Sequence, residues 1–210
     1  MVGRYDVNIE VKRRLTDDYT AQRFTSFEAY LTAEPSDLPK GRCEYWDGEL
    51  VELMTESGRN DALATFILLA LVAIGVPFRL VRAGGAEVEV IGKPKNRFPD
   101  LTVLSEVHLP LVEKRLTITR KMPPPRLVVE IVAPGTESKD NYKRDYLEKR
   151  DQYAAIGIPE YWIVDPAREW VMIGTLTDGA YLFQTFKGND AIVSPTFPEL
   201  NLTAAIVLAG

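Results

Sequence analysis

The pattern of hydrophobic and polar residues across residues 124–166, PPRLVVEIVAPGTESKDNYKRDYLEKRDQYAAIGIPEYWIVDP, organises the rest of the chain. In RLVVEIV both faces are apolar except at Glu130, which predicts a strand covered on both sides and therefore a partly parallel or mixed sheet. EYWIVD predicts a second buried strand. Between the two strands we predict a helix that starts near Ser138 or Asp140 and runs to about Ile156.

One face of this predicted helix carries a lysine among tyrosines. At steps of three and four residues the face contains Tyr142, Tyr146, Lys149, Tyr153 and Ile156. A lysine in such a stripe either snorkels past the core or carries a charge inside it. Because Glu130 is also predicted to be buried, the strand and the helix place two opposite charges where an interior is normally apolar.

The part of the chain before this unit predicts two helices and a hairpin. The pattern TSFEAYLTAE begins with a Ser/Thr cap and predicts a short amphipathic helix. In CEYWDGELVELM, the pair Asp47-Gly48 predicts a two-residue hairpin turn. Asn60 is predicted to cap the next helix, ALATFILLALVAIG, which is apolar on almost all faces and is therefore expected to pack against a sheet.

The remaining patterns predict strands. FRLVRA and AEVEVI flank Gly84-Gly85 and predict either a hairpin or one kinked strand. RFPDLTVLS predicts a strand with Asp100 near its start. Turns at Asp178-Gly179 and Gly188-Asn189 predict two or three antiparallel strands, followed by a short tail helix. Together the elements predict an α/β fold of the α+β type, with a central mixed β-sheet flanked by helices, an N-terminal β-hairpin and C-terminal antiparallel strands.

Length and composition predict one globular domain. The chain has 210 residues, 46% hydrophobic and 26% charged, and one core can serve about 200 residues. We expect residues 1–24 to be a partly mobile N-terminal segment and residues 25–210 to form the domain. The start lacks a signal-peptide pattern, and the most apolar run, residues 62–76, is shorter than the roughly 20 residues that cross a bilayer. We therefore expect a cytoplasmic protein that does not contact a membrane.

Three features of the composition limit the chemistry. Cys43 is the only cysteine, which excludes an intramolecular disulfide and a cysteine-based zinc cluster. His108 is the only histidine and has no nucleophile motif nearby, which argues against a Ser-His-Asp arrangement. The net charge of −5 argues against a protein that coats nucleic acid, so any such contact is expected to be local.

Three ionisable residues, Asp100, Glu130 and Lys149, come from adjacent predicted elements. Two carboxylates in a core repel one another unless a cation or a shared proton compensates them. A divalent ion with oxygen ligands, Mg²⁺ or Mn²⁺, is one such compensation, and a lysine beside it can orient or deprotonate a water during phosphodiester hydrolysis. The alternative is a structural ion cluster in which Lys149 neutralises Glu130. Spacing alone leaves both interpretations open.

The acidic residues also resemble a known motif. Pro99-Asp100 followed by Glu130-Ile131-Val132 resembles the PD-(D/E)xK nuclease superfamily, with Val132 in the place of the motif's lysine and Lys149 taking that role from the helix. More closely, FPDLTVLSE, PPRLVVEIV, DYLEKRDQYAAIGIPEYWIVDP and VSPTFPELNLT resemble the Uma-type restriction endonuclease family, long filed as a domain of unknown function. The resemblance covers roughly residues 25–208 and implies a restriction-endonuclease-like core.

This resemblance implies roles for individual residues. Asp100, Glu130 and the backbone carbonyl of Ile131 would be metal ligands, Lys149 would be the catalytic lysine, and Tyr153 would support it. The superfamily often adds an acidic residue from an earlier element, for which the candidates are Glu52, Glu87 and Glu89, with Glu52 preferred. The chain departs from many relatives at Ala133-Pro134, where they have Ser-Pro, and at Asn60, where they have histidine.

The loops that enter the two proposed ligand strands are basic. Lys93, Lys95 and Arg97 precede Asp100, and Arg120, Lys121 and Arg126 precede Glu130. These side chains predict local docking of phosphates in an acidic protein, and Lys93, Lys95, Arg97 and Arg126 are the candidates for it. The alternative is an ordinary solvated loop.

Three functions are consistent with these features. The first is a Mg²⁺- or Mn²⁺-dependent endonuclease that hydrolyses DNA, for which a homodimer is expected because cutting two strands usually needs two sites. The second is a catalytically idle nuclease-fold interaction module with a structural Asp/Glu/Lys cluster. The third is a small-molecule hydrolase that uses the same site.

Overall fold

The structure is a computed structural model that describes residues 24–133 and 140–210. These residues fall into two compact units. The smaller unit contains residues 24–55 and 93–95, and the larger unit contains Glu56–Gly92 and Asn96–Gly210. The N-terminal segment predicted as residues 1–24 lies outside the described residues except for its last one, and the single domain stays a prediction.

The smaller unit contains a short helix and a hairpin. Its elements are α1 (Phe27–Leu31), a 3-10 turn (Pro35–Asp37), β1 (Cys43–Trp46) and β2 (Glu49–Glu52). Ser26 caps α1 because its side chain accepts a hydrogen bond from the amide of Ala29 at 3.1 Å. The two strands pair antiparallel through a turn in which Asp47 and Gly48 have φ of 46° and 97°. The left-handed backbone of this turn explains the Asp-Gly pair and confirms the hairpin.

The larger unit contains nine strands and four helices among the residues that the structure describes. The strands are β3 (Val81–Ala83), β4 (Glu87–Glu89), β5 (Asn96–Arg97), β6 (Leu101–Val103), β7 (Thr117–Ile118), β8 (Leu127–Ile131), β9 (Glu160–Asp165), β10 (Trp170–Thr177) and β11 (Ala180–Lys187). The helices are α2 (Gly58–Ala73), α3 (Asp140–Lys143), α4 (Lys149–Ala155) and α5 (Ala204–Ala209). A π-helical segment (Arg144–Glu148) joins α3 to α4, and 3-10 turns occur at Phe78–Leu80 and Glu106–Leu111.

Six of these strands form the central sheet in the order β11-β10-β9-β8-β6-β3. Only β8 and β9 pair in parallel, since the chain crosses between them through α3, the π-helical segment and α4. The other neighbours in this sheet pair antiparallel. Every residue of β8 and β9 is buried, which agrees with their continuous apolar sequences. The mixed central sheet predicted from the sequence is therefore confirmed.

Side chains alternate between the two faces of this sheet, and each face is covered by helices. On one face α2 and α5 contribute Leu63, Ile67 and Val207 to a core with Val129 and Trp162 of the sheet. On the other face the core includes Val128, Ile163, Tyr161, Tyr146 and Tyr153, the last two from the connection between β8 and β9. Because Glu130 alternates with Val129, it points to this second face.

Two local predictions need correction. Asn60 does not cap α2, because the helix begins two residues earlier and the side chain of Ser57 accepts from the amide of Asn60 at 3.1 Å. The segments around Gly84-Gly85 form neither a hairpin nor one kinked strand, since β3 pairs with β6 in the central sheet while β4 pairs with β5 and β7 in a three-stranded sheet. The chain changes sheets there, and Gly84 has a φ of 63° that favours glycine.

The predicted C-terminal turn and tail helix are present, and one of the two predicted starts of the crossover helix is observed. The turn between β10 and β11 is formed by Asp178-Gly179, as expected, and the tail helix is α5. Of the predicted starts of the crossover helix, Asp140 is the first residue of α3 and Ser138 lies outside the described residues. Over the parts of the chain that are described, no helix is both long and apolar enough to cross a lipid bilayer.

Candidate active site

The strand β8 places a carboxylate inside the larger unit. Glu130 is 2% exposed and lies between Val129 and Ile131 on a strand that is buried throughout. Such a side chain needs partners, because an uncompensated charge in a protein interior is strongly unfavourable. Two are supplied by the helix above it. The hydroxyl of Tyr153 donates to Glu130 Oε1 and the ammonium of Lys149 donates to Glu130 Oε2, both at 2.6 Å.

The lysine contacts a second buried carboxylate. Lys149 Nζ lies 2.9 Å from Asp145 Oδ1, one turn earlier on the same helical connection. Asp145 is also bound by the guanidinium of Arg144, at 2.9 Å and 3.1 Å, and its backbone carbonyl accepts from the hydroxyl of Tyr161 at 2.7 Å. Lys149 is thus held between a strand carboxylate and a helix carboxylate.

The third predicted member of the site is Asp100, which immediately precedes β6. Its Oδ2 atom accepts a hydrogen bond from the backbone amide of Ile131 at 2.6 Å, so the carboxylate lies at the end of β8, beside the start of β6. Its Oδ1 atom makes no hydrogen bond with any residue in the described ranges. The structure therefore brings Asp100 to the backbone of the residue that follows Glu130.

Burial and neighbouring charges shift the pKa values of these groups. Burial raises the pKa of Asp100 well above its usual value, and the charge of Glu130 raises it further. Burial also raises the pKa of Glu130, more than Lys149 lowers it. Burial would lower the pKa of Lys149, but Asp145 and Glu130 outweigh that effect and the net shift is upward. Lys149 is consequently a stable cation at neutral pH.

The fourth acidic group responds in the opposite direction. Burial would raise the pKa of Asp145, but the charges of Lys149 and Arg144 outweigh burial and lower it below the usual value. The two carboxylates that contact Lys149 therefore differ, since Asp145 is the firm anion and Glu130 is the more easily protonated group. Neighbouring carboxyl groups whose pKa values are shifted in opposite directions are typical of reaction sites.

Asn60 connects the first long helix to this site. Its side chain is 3% exposed, and its amide donates to the carbonyl oxygen of Ile131 at 3.1 Å and to Glu56 Oε1 at 3.0 Å. The carbonyl of Ile131 is the backbone oxygen predicted as a metal ligand. Glu56 is close enough for its charge to raise the pKa of Asp100. Glu56 was not among the early acidic candidates of the sequence, which were Glu52, Glu87 and Glu89.

The π-helical segment explains why the sequence missed Asp145. A regular helical period that places Tyr142, Tyr146 and Lys149 on one face leaves Asp145 on a flank. In the π-helical segment the turn contains an additional residue, and Asp145 and Tyr146 are both buried as a result. The spacing of four residues between Asp145 and Lys149 was the available signal, because such pairs commonly form ion pairs on helices.

The acidic candidates from the sequence lie in strands of two smaller sheets. Glu52 is exposed in β2 of the smaller unit. Glu87 is buried, and it accepts from Asn96 at 2.6 Å, from Thr117 at 2.6 Å and from Arg115 at 2.9 Å, so its carboxylate holds the three-stranded sheet together. Glu89 accepts from the amide of Arg120 at 2.9 Å.

The basic residues are placed differently from one another. In the smaller unit Lys93 is exposed and forms an ion pair with Asp47, and the amide of Lys95 donates to a backbone carbonyl at 3.0 Å. In the larger unit Arg97 is only 1% exposed and donates to Gln152 at 2.8 Å and to Glu148 at 3.4 Å. The guanidinium of Arg126 lies 4.7 Å from the ring centroid of Phe197.

His108, for which the sequence shows no catalytic partner, makes structural contacts. It is fully buried, and its ring nitrogens lie 2.9 Å from Ser105 Oγ and 2.8 Å from the carbonyl of Pro123. These contacts fix the 3-10 turn Glu106–Leu111 against the chain that leads into β8.

The donor set around Asp100 fits a divalent cation of the Mg²⁺ type. Within residues 24–133 and 140–210, no three side chains of His, Cys, Asp or Glu are arranged to hold a metal. The oxygens available are those of Asp100, Glu130 and the carbonyl of Ile131, and Mg²⁺ commonly binds one or two carboxylates and keeps several waters. Burial raises the pKa of Asp100 more than the charge of Lys149 lowers it, and a bound cation would add to that compensation.

The family model described as "Uma2: Putative restriction endonuclease" matches residues 27–205. A solved structure of a "putative nuclease belonging to DUF820" from Anabaena variabilis ATCC 29413 is 17% identical, with a TM-score of 0.62 over 88% of this chain and 97% of that one. No curated protein matches the chain. The structural likeness confirms the predicted fold.

Proposed function

The chain belongs to this Uma2 family, and we propose that it is a Mg²⁺- or Mn²⁺-dependent endonuclease that hydrolyses phosphodiester bonds of DNA. The family and the nuclease-like fold support a nuclease function. The metal and the substrate are the proposed parts. They rest on the arrangement of Asp100, Glu130 and Lys149 described above.

The proposed metal site uses oxygen atoms of two strands. Asp100, Glu130 and the carbonyl of Ile131 would hold the ion, and Glu56 is the nearby acidic residue that could add an oxygen through the bound waters. A divalent ion in such a site acts as a Lewis acid and makes a bound water easier to deprotonate. Asn60 currently donates to the Ile131 carbonyl, so the carbonyl keeps one lone pair for another partner.

Lys149 contributes positive charge to the reaction. Because its pKa is raised, it enters the reaction protonated and cannot serve as the general base in that state. An ammonium group can instead donate a hydrogen bond to the attacking water or to a phosphoryl oxygen, where negative charge develops during the attack. Glu130, with its raised pKa, is the better proton acceptor of the two.

Two further residues keep Lys149 in place. Asp145 binds its ammonium from the helix, and Tyr153 occupies the other oxygen of Glu130, so that Oε2 faces the lysine. Both are positioning residues, since they act through Lys149 and Glu130. The predicted supporting role of Tyr153 remains part of the proposal.

One observation carries this proposal. Asp100, a buried carboxylate whose Oδ1 has no hydrogen-bond partner among the described residues, lies beside the strand that also presents Glu130, and burial together with the charge of Glu130 raises its pKa. A protein that needed only a structural ion pair would be complete with Lys149 and Glu130. The additional carboxylate is unfavourable for stability at neutral pH and is typical of a site that receives a cation.

A second function is favoured by a different observation. Both oxygens of Glu130 already have partners, at 2.6 Å each, and Asn60 occupies the Ile131 carbonyl. This closed arrangement would suit a catalytically idle nuclease-fold interaction module whose cluster is structural. The two functions make different predictions about metal binding and cleavage.

The test uses the purified full chain with supercoiled plasmid, linear duplex and single-stranded DNA. Each substrate is incubated with Mg²⁺, with Mn²⁺ and with EDTA. Metal-dependent nicking that disappears in EDTA and in Asp100→Asn is expected. The matched control is Asp61→Asn, which removes an exposed carboxylate from the first turn of α2. A chain that binds neither metal nor DNA and cuts none of the substrates would favour the interaction module.

The oligomeric state is a separate part of the proposal. A nuclease that cuts both strands of a duplex usually presents two sites, and a two-fold homodimer provides them. Sedimentation of the chain with and without DNA would measure this. A monomer that nicks only one strand per binding event would contradict the dimer and leave the chemistry of the site unaffected.

A further inference from the structure

A second group of side chains lies on the same face of the central sheet as Glu130 and is not used by the proposed reaction. It contains two tyrosines of the helical connection, an arginine of the turn after β9, and residues of β10 and β11. We call it the cation–aromatic surface, and its members are Tyr142, Tyr146, Arg168, Trp170 and Lys187.

Two of its rings form a stack beneath a guanidinium group. Tyr142 and Tyr146 have ring centroids 4.3 Å apart and an interplanar angle of 19°. The guanidinium carbon of Arg168 lies 4.9 Å from the centroid of Tyr142, and Arg168 is held there because it donates to Asp165 Oδ2 at 2.6 Å. Tyr142 is half-buried. Tyr146 and Arg168 therefore hold the ring of Tyr142 in place, and part of this ring is open to solvent.

Trp170 is held at its edge by a hydrogen bond, and the flexible side chain of Lys187 lies over its ring. Its indole nitrogen donates to the hydroxyl of Tyr146 at 2.7 Å, and the ammonium of Lys187 lies 4.8 Å from the ring centroid. Lys187 is exposed and makes no ion pair with any residue that the structure describes. Because a lysine side chain is flexible, Lys187 can leave the ring for a phosphate and expose the indole.

The strand register places this surface near the proposed reaction site. Glu130 is level with Ile163 of β9, which is level with Met172 of β10, and Trp170 is two residues from Met172. Two strand spacings across and two residues along correspond to about 12 Å between the Cα atoms of Glu130 and Trp170. That distance equals about three or four stacked nucleotides at roughly 3.4 Å each.

The chemistry of this surface suits a nucleic acid whose bases are unpaired. Aromatic side chains bind single strands by stacking on base faces, and nearby cations bind the phosphates. In a duplex the faces of internal bases are hidden. The surface also supplies the local positive charge that an acidic chain with a net charge of −5 needs for such a contact.

We propose that the cation–aromatic surface binds unpaired bases of a single-stranded segment next to the bond that is cut. Trp170 stacks on a base, Lys187 contacts the adjacent phosphate, and the stack of Tyr142 with Arg168 extends the track. The assignment of this strand as substrate rests on the proposed nuclease function, whereas binding of the strand does not.

The experiment measures binding apart from cleavage. The full chain is titrated in EDTA, where the proposed reaction cannot proceed, against a fluorescein-labelled oligothymidylate and against a blunt duplex of the same length. Anisotropy reports affinity, and intrinsic fluorescence reports contact with tryptophan. We expect the single strand to bind roughly tenfold or more tightly than the duplex and to quench the fluorescence.

Three variants identify the residues responsible. Trp170→Ala is expected to weaken binding of the single strand by about 5- to 150-fold, as loss of one stacked base does, and Trp170→Phe is expected to keep most of the affinity while losing the quenching. Lys187→Ala is expected to reduce the slope of log affinity against log salt by about 0.7. Lys114→Ala, which removes a different exposed lysine, is the control and should change neither quantity.

The outcomes separate this proposal from that of the nuclease. Equal affinity for duplex and single strand, or quenching that persists in Trp170→Phe, would overturn the cation–aromatic surface even if the chain cuts DNA. Selective binding to an acidic peptide instead of DNA would also overturn it. Tight single-strand binding without cleavage in any metal would keep this surface and contradict the nuclease. If Trp170→Ala does not fold, Trp170→Phe and Lys187→Ala still decide the matter.

Discussion

The ammonium of Lys149 lies 2.6 Å from Glu130 Oε2, which joins α4 to β8 across the second face of the central sheet. Both side chains are buried, and each charge needs an oppositely charged partner there. The same lysine is bound by Asp145 at 2.9 Å. Lys149 therefore compensates two buried carboxylates, and in the proposed reaction it also supplies positive charge.

Replacing this lysine should reduce both stability and activity. In Lys149→Met the carboxylates of Glu130 and Asp145 lose their common cation, and breaking a buried pair in this way costs about 3–5 kcal/mol in the free energy of unfolding. Urea denaturation at pH 7 measures the loss, and plasmid nicking measures activity. Arg150→Met is the control, because Arg150 precedes Asp151 in an exposed ion pair of the same helix.

The pH dependence of this loss gives an additional check. A buried carboxyl whose pKa is raised in the folded protein destabilises it above the unfolded value of about 4.3, and the penalty disappears as pH falls through the folded pKa to that value. Lys149→Met should therefore approach the wild-type stability as pH is lowered from 7 toward 4. A deficit that stays constant over this range would show that the lost packing, and not the lost charge, is responsible.

Asp100→Asn should make the metal-free protein more stable at neutral pH. The pKa of Asp100 is raised by burial and by Glu130, so its ionised form is less favourable in the folded chain than in the unfolded one. The gain should be complete above the raised pKa of the folded chain and vanish below the unfolded value of about 3.9, where both states are protonated. Asparagine can still accept from the amide of Ile131. Thermal unfolding in EDTA at several pH values measures the difference.

Metal should reverse this order of stability. A ligand that binds only the folded chain stabilises it by RT ln(1 + [L]/Kd), or about 2.7 kcal/mol at one hundred times Kd. Mg²⁺ or Mn²⁺ should therefore raise the melting temperature of the wild type and leave Asp100→Asn unchanged. Equal stabilisation of both proteins by the metal would contradict the role of Asp100 as a ligand.

Much of this site could be predicted from the sequence because its signals are local. The apolar run around Glu130 indicates a buried strand, and the tyrosine stripe indicates that Lys149 points inward. Asp145 was missed because a π-helical segment changes the helical phase, and that change depends on tertiary packing. Asn60 was interpreted as a cap because local rules favour it, whereas its actual partner, the carbonyl of Ile131, is 71 residues away.

Long-range partners also limited the interpretation of the basic residues. Arg97 stands in a loop sequence that suggests exposure, yet the structure buries it against Gln152, 55 residues later. No local pattern identifies such a partner. The three-stranded sheet around Glu87 was missed for the same reason, since β4 and β7 form only two residue pairs, and the paired residues are 30 positions apart in the sequence.

Asp145→Asn should narrow the pH range of activity from the alkaline side. The charge of Asp145 helps to raise the pKa of Lys149, so its removal lowers that pKa and the lysine loses its proton at a lower pH. The pH at which the rate falls on the alkaline side should therefore be lower in this variant than in the wild type. Asp145→Glu keeps the negative charge and should return this pH at least part of the way to the wild-type value.

A matched control separates this effect from general damage to the helix. Asp151→Asn removes a carboxylate whose side chain is 67% exposed on the same helix, and it should leave the pH profile unchanged. A uniform loss of rate at all pH values in Asp145→Asn, with both limbs in place, would indicate misfolding and contradict control of Lys149 by this residue.

Asn60 should determine how firmly the Ile131 carbonyl is held. Asn60→Ala removes the donor to a buried carbonyl and should cost about 1–3 kcal/mol in the free energy of unfolding, whereas Arg59→Ala, at an exposed neighbour, should cost little.

Asn60→Asp places a carboxylate near Glu56 and Asp100, so it should destabilise the metal-free chain more strongly. Because a divalent ion would compensate that charge, the same variant should gain more stability from Mg²⁺ than the wild type does. Thermal unfolding with Mg²⁺ and with EDTA measures both effects, and a smaller Mg²⁺ response in Asn60→Asp than in the wild type would place the ion away from this carbonyl.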